Sequence, residues 1–490
     1  MSSRKPGHRR GPQPTERPPG RAWPSAVAAL VLLACCAGLL AWADSRPPEK
    51  ALPAPSAREI AIEQVTLVCP RLLGDDRTQS SLAVGLLPGG AADGQLNVAG
   101  ADAPVLPGSW SLRSDAGVTV SARGPVAAST GVWRAAVAGA RSGRGLTVGA
   151  CPQPGTDAWF VGAGSTVEHE STLVVSNPGR TSAVFDVTLL TSDGELAPVS
   201  TQGVALPPRQ QQEIPLAGVA ANRGELTVRV SASEGQVVAS MLDSWTAELR
   251  PAGTEWVPAA APAAQSVAIT GVPAGTGDRE LVLANPGERT VVVRLQVVGP
   301  DATFVPESLT EVEVPARSST AVPLPGSLGD DALGLRLDAD DPVLAAVRGR
   351  SSGDRPDVAY AVSAPALSGP VAVPVRLGND VSSAVPVLSL ASATADASGS
   401  LTAAVYGGDG ADLATTTVEV PAGITTTYDP GRTLSRSALR RAAYLVLTPG
   451  DGAPVRAAAT YTTAPGGVSV LPVTTAPATV LAPAAVPAGG

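Results

Sequence analysis

Aromatic side chains are the scarcest component of this 490-residue chain: Phe, Trp and Tyr together make up 3% of it. Histidine occurs twice, at His8 and His169, and lysine only at Lys5 and Lys50. With so few aromatics, cores have to be assembled from Val, Leu and Ala, so each is light. With one histidine beyond the first fifty residues, a metal site is hard to assemble and His169 would have to serve alone as a general base. Net charge is −8, pI is about 5.0, and the arginines are dispersed. A nucleic-acid binder needs a concentrated basic face to release counterions, and none is present. Nucleophile elbows, phosphate loops, dinucleotide fingerprints and His-Glu-x-x-His zinc motifs are also missing. These absences lead to the expectation of a non-catalytic protein with no catalytic residues, no bound metal, no cofactor and no nucleic-acid partner.

What the chain does have is Gly 52 and Pro 47, placed between many short Val-rich runs. That rhythm predicts an all-β protein with frequent turns. The length exceeds what one core can serve, and usual domain sizes give about three or four folded units.

Arg4, Lys5, Arg9, Arg10, Arg17 and Arg21 precede an uncharged stretch from Ala26 to Ala43, and Asp44 follows it. Basic residues before an apolar segment keep the N-terminus inside. The segment is near the lower limit for a transmembrane helix, about 20 residues. Three readings compete. A retained signal anchor is favoured by the long basic region and by Trp23 and Trp42 at the two ends. A secretory signal cleaved after Ala43 is kept open by the small-x-small run Ala41-Trp42-Ala43. A lipoprotein signal is suggested by Leu32-Leu33-Ala34-Cys35, but the apolar run continues past that cysteine. On all three readings most of the chain is extracytoplasmic.

An internal repeat holds at an offset of 108 residues: Leu173-Val174-Val175-Ser176-Asn177-Pro178-Gly179 returns as Leu281-Val282-Leu283-Ala284-Asn285-Pro286-Gly287, and Ile214-Pro215-Leu216 returns as Val322-Pro323-Leu324. Val228-Arg229-Val230 with Val237-Val238-Ala239-Ser240 then matches Leu335-Arg336-Leu337 with Val343-Leu344-Ala345-Ala346 after a small slip. The paired runs are expected to form a hairpin closing each module. Similar pairs start at Val118 and Tyr444, so four modules are expected, of the size and strand count of an immunoglobulin-like β-sandwich. The expected organisation is a cytosolic basic tail at 1–22, a transmembrane signal anchor at 23–43, a Pro-rich stalk at 44–60, modules at 61–152, 153–258, 259–366 and 367–475, and a flexible tail at 476–490. The Asn-Pro-Gly triplets read as turns capped by the asparagine. In Val291 to Val297, Arg294 and Gln296 fall on one face and Val293, Leu295 and Val297 on the other. Ser435 to Ala443 is a candidate short helix.

Cys35 and Cys36 lie in the apolar segment, leaving Cys69 and Cys151 as a pair that flanks the first module. In an oxidising compartment such a pair predicts a disulfide, worth about 4 kcal/mol on the chain-entropy model. His169, between Glu168 and Glu170, reads as an exposed loop histidine. Asp338, Asp340 and Asp341 read as a solvated turn and not a calcium site. Trp159 and Phe160 open the second module while Trp245 and Trp256 bracket its end, and these four are candidate ligand or partner contacts.

The basic leader, the single apolar segment, the early Cys69-Pro70, Trp159-Phe160-Val161-Gly162 and Asn177-Pro178-Gly179 together resemble a family of uncharacterised actinobacterial membrane or secreted proteins, classed as a domain of unknown function. The resemblance implies a cell-envelope location and supplies no activity. The expected role is a membrane-tethered rod of four modules that acts as a scaffold or binds an envelope protein. The alternatives are an envelope glycan-binding protein that stacks sugars on exposed Trp, and, less favoured, an enzyme using an unfamiliar carboxylate pair.

Overall fold

The computed structural model describes residues 23–44, 58–71, 79–87, 94–98, 101–103, 108–112, 117–138, 145–273, 277–329, 331–351, 355–377, 385–463, 466–476 and 479–482. The basic tail, most of the Pro-rich stalk and most of the final tail lie outside them. Trp23–Asp44 is a helix, and its two cysteines, Cys35 and Cys36, are free and exposed. Among the described residues no helix is long and apolar enough to cross a membrane.

Ile60–Val480 is one compact unit, built almost wholly of antiparallel strands. Its sheets come in four pairs that follow the sequence repeat. In the second repeat, one sheet holds Asp157–Ala163, Leu226–Glu234, Ala183–Thr191 and Gly194–Leu196. The opposite sheet runs Gln211–Pro215, His169–Ser176, Val238–Ala247 and Arg250–Val257. Phe160, Leu173, Val175, Phe185, Val187, Leu189, Val228 and Met241 fill the space between them. The strands alternate as the pattern requires: in Val291–Val298 the even-numbered Arg294 is exposed and Gln296 half-buried, while Val293, Leu295 and Val297 are buried. Arg436–Arg441 forms the expected short helix, capped by the Ser435 hydroxyl, which accepts from the Ala438 N–H.

The Asn-Pro-Gly turns are built identically in both repeats. Asn177 Oδ1 accepts from the Gly179 N–H at 2.9 Å and its Nδ2 donates to the carbonyls of Thr181 and Leu206. Asn285 does the same with Gly287, Arg289 and Val314. Both asparagines are buried, which is tolerable because every polar atom named is paired.

Two expectations are corrected. The paired Val-rich runs do not form a hairpin. Leu226–Glu234 lies in one sheet and Val238–Ala247 in the other, so the chain crosses the sandwich between them. In the third repeat the crossing is a single 18-residue strand, Leu333–Arg350, which serves both sheets. Short spacing between two apolar runs does not distinguish a tight turn from a step across a core. The hairpin that does close the second repeat pairs Val238–Ala247 with Arg250–Val257, through a turn in which Glu248 and Leu249 both have positive φ.

Nor are the modules strung as a rod. The last strand of each, Gly145–Ala150, Arg250–Val257, Val358–Val362 and Gly467–Val473, is a sheet edge, and each touches two of the others in a closed cycle. The packing follows suit: Trp133, Leu146 and Val148 of the first repeat share a core with Leu388, Leu445 and Tyr461 of the fourth. Ala458 and Val470 of the fourth join the core of the third. Apolar residues on the edge strands made lateral burial more favourable than exposure on a string.

At the centre of this cycle sits Asp357, 1% exposed. Its carboxylate accepts backbone N–H groups from Leu146 at 3.0 Å, Val468 at 2.8 Å and Val358 at 2.9 Å. A backbone hydrogen bond from Thr254 also favours the ionised form. Each closing strand thus turns an amide toward one acceptor. The residues just before those amides are Gly145, Gly253, Asp357 and Gly467. At Gly145, where φ is +148, an added Cβ would lie 2.3 Å from Asp357 Oδ1, and at Gly253, where φ is +141, 2.6 Å from the Val358 nitrogen.

Candidate functional site

Two features outside this centre combine buried chemistry with position. The first surrounds His169, which is 2% exposed and not a loop residue. It opens the strand His169–Ser176, pairs across to Trp245, and points Nε2 at Asp243 Oδ1, 2.9 Å away. The flanking Glu168 and Glu170 remain exposed. Asp243 is the acceptor for four side chains: besides His169, the Ser171 hydroxyl, the Tyr360 hydroxyl at 2.5 Å and the Trp245 indole N–H at 2.7 Å. Burial acts to raise the Asp243 carboxyl, and His169 with the two hydroxyls outweighs it, leaving the group below its ordinary value. Trp245 stacks on His169 with centroids 4.0 Å apart, and Arg348 and Arg350 lie over its ring at 4.7 and 4.8 Å. Arg348 in turn pairs with Glu225 at 2.8 Å and with Glu280.

Ser171, His169 and Asp243 are the residue types of a hydrolytic triad, but their wiring differs from one. The serine hydroxyl donates to the carboxylate and not to the imidazole, whose other nitrogen lies 3.2 Å from the Gly224 carbonyl. A triad requires the base to take the proton of the nucleophile. The network instead ties the second repeat to the third, through Tyr360 and Arg348.

The second feature is a cavity of about 670 Å³ between the first, second and fourth repeats. Trp133, Trp159, Phe160, Met241 and Trp256 line it, with Leu87, Val371 and Leu471. Trp159 is half-buried. Its indole N–H donates to Asp157 Oδ2 at 3.0 Å, and Arg229, which pairs with Asp157 at 2.7 Å, lies over its ring at 5.1 Å. Trp256 donates from Nε1 to the Arg71 carbonyl at 3.2 Å and packs over Gly149, where an added Cβ would meet the ring at 2.9 Å. Trp133 is accommodated by Gly131, where a Cβ would lie 2.4 Å from its ring. The Cys69–Cys151 disulfide, spanning 82 residues, fixes one wall, since Cys151 and Pro152 line the cavity. The Ala259 to Ala264 joint is pinned at the same place, by the Ala260 N–H on the Trp159 carbonyl and the Ala261 N–H on Ser363.

Of the four aromatic candidates, Trp159, Phe160 and Trp256 come together in this cavity, while Trp245 is absorbed by the buried network. Phe160 and Trp256 are buried and present little surface beyond the cavity. Trp133 was not singled out from sequence; its signal was the small Gly131 two residues before it, placed to clear a large ring. Asp340 and Asp341 pair with Arg294 and Arg289, and among the described residues no cluster of three or more His, Cys, Asp or Glu could hold a metal ion.

The Family of unknown function (DUF5719) matches residues 97–431. No curated protein matches the chain. Among solved structures, the crystal structure of Thermotoga maritima 1070 is similar at 16% identity, over 21% of this chain and 93% of its own, with a TM-score of 0.18. A tetra-tandem repeat from the extending region of a large adhesion protein is similar at 11% identity, over 81% of this chain and 91% of its own, with a TM-score of 0.09. Likenesses this loose carry no argument.

Proposed function

The chain belongs to a family whose description assigns no activity, and from its own residues we propose that it is a non-catalytic, extracytoplasmic binding protein of the cell envelope. On this reading Ile60–Val480 is a compact scaffold of four immunoglobulin-like sandwiches, and the uncharged stretch from Ala26 to Ala43 is an export signal retained at the membrane, with the basic leader on the cytosolic side. Release after Ala43 is the alternative fate. The observation that carries the binding role is the concentration of aromatics: three of the chain's seven tryptophans and one of its three phenylalanines line one cavity. A cavity of this size, mainly apolar with few polar groups, has the character of a ligand seat.

An envelope glycan is the second reading, supported by Trp159, the one tryptophan of the three with substantial exposure. Membrane fractionation and intact-mass measurement test the location. A membrane-bound, full-length chain supports the anchor, and a soluble chain beginning at Asp44 supports release. Recovery of the chain in the cytosolic fraction overturns the envelope reading.

A further inference from the structure

We infer that the cavity takes a neutral aliphatic ligand, such as the acyl chain of an amphiphile, in preference to a sugar; the inference rests on the cavity being the ligand seat. Sugar recognition joins two elements: an open aromatic face for the pyranose ring, and polar side chains free to bond its hydroxyls. Both elements are scarce in this cavity. Trp133 and Trp256 are buried to within a few per cent, and the Trp256 indole N–H is taken by the Arg71 carbonyl. One face of Trp159 is covered by Arg229.

Among the described residues Asp157 is the one charged side chain in the lining, and it is consumed by Arg229 and by the Trp159 indole. Val, Leu, Met and Pro side chains make much of the remaining wall, among them Val371, Leu471, Pro370 and Pro472, and the hydroxyls of Ser129 and Thr130 are taken by the Val126 carbonyl. Such walls gain from burying methylenes and lose when a hydroxyl is left without a partner. Among the described lining residues no charge is left unpaired, which disfavours an ionic headgroup at the mouth, where Gln153, Thr474 and Thr475 supply uncharged polar groups.

The test uses the full-length chain held in an amphipathic polymer without detergent, titrated with monolauroylglycerol and separately with maltohexaose, and reads tryptophan emission. The partner experiment uses Ala259→Trp, which fills the cavity from an exposed lining position without entering a core. The expected result is a saturable emission change with the monoglyceride, weakened about tenfold in Ala259→Trp, and none with the hexaose. A saturable response to the hexaose alone, lost in Ala259→Trp, overturns the aliphatic assignment and leaves the cavity as the seat. Response to neither, or a monoglyceride response that Ala259→Trp does not alter, overturns the cavity itself.

Discussion

Asp243 and Asp357 are both buried carboxylates at junctions between repeats, yet the protein holds them in opposite ways. Asp243 is met by side chains that include a basic partner, His169, and its carboxyl lies below its ordinary value. Among the described residues Asp357 is met only by backbone amides, and burial pushes its carboxyl up to about 7 against the pull of those N–H groups. Glu255, close to Asp357 on the neighbouring closing strand, is likewise raised well above the ordinary range by burial, with the Ser469 hydroxyl opposing and the Asp357 charge adding to the rise. The contrast separates two means of keeping a charge out of water: an opposing charge lowers the cost locally, whereas dipoles from several strands make the charge depend on the whole assembly being closed.

The sharpest way to break the comparison is Asp357→Ala. It strips the acceptor from backbone amides that cannot rotate to find another, and the expected loss is about 4 kcal/mol in denaturant unfolding. Asp243→Asn leaves mobile side chains that can partly re-pair, so a smaller loss of about 3 kcal/mol is expected. Equal losses would show that rigidity of the donors is unimportant. Gly145→Ala drives a methyl into the Asp357 carboxylate and strains a positive φ, at an expected cost of about 2 kcal/mol by the same measurement.

pH distinguishes the two sites by sign. For Asp357 the folded value lies above the ordinary 3.8, so the folded state holds its proton more tightly than the unfolded chain. Its contribution is most favourable below 3.8 and is lost as pH rises through about 7. Asp243, shifted down, contributes above 3.8 and loses that contribution as pH falls. Melting temperature measured from pH 8 to pH 5 should therefore rise by a few degrees in the parent chain, with Glu255 acting in the same direction, and rise less in Asp357→Asn. An unchanged slope in that variant would remove Asp357 from the account. The mildest perturbation is Tyr360→Phe, which deletes one donor to Asp243 and should cost about 1 kcal/mol in thermal unfolding.

Much of the strand content was legible, because period-two alternation as in Val291–Val298 records which face is buried. The Asn177 and Asn285 turns were legible for a local reason: the atoms they satisfy lie mostly within a few residues. The disulfide was legible from count and position. What was not legible required knowing which repeats touch. His169 looked like a loop residue between two glutamates, and its partners Asp243, Tyr360 and Arg348 lie between 74 and 191 residues away in sequence. The cavity shares that character: Trp159 and Phe160 were visible as rare aromatics, but that they meet Trp133 and Trp256, while Trp245 does not, is decided by lateral packing. The rod expectation failed at the same point, since repeats reveal units and say nothing of whether their edges close on one another.

The set Gly145, Gly253, Asp357 and Gly467 bears on how such a ring can be assembled. Four identical modules would bring either four glycines, leaving the inward amides with no acceptor, or four aspartates crowding like charges into one hole. The centre is satisfied only when one member differs from the other three. A self-associating single module cannot meet that condition by symmetry, whereas four unequal modules on one chain meet it by arithmetic, with one acceptor per ring and its place in the circular order fixed by the covalent sequence.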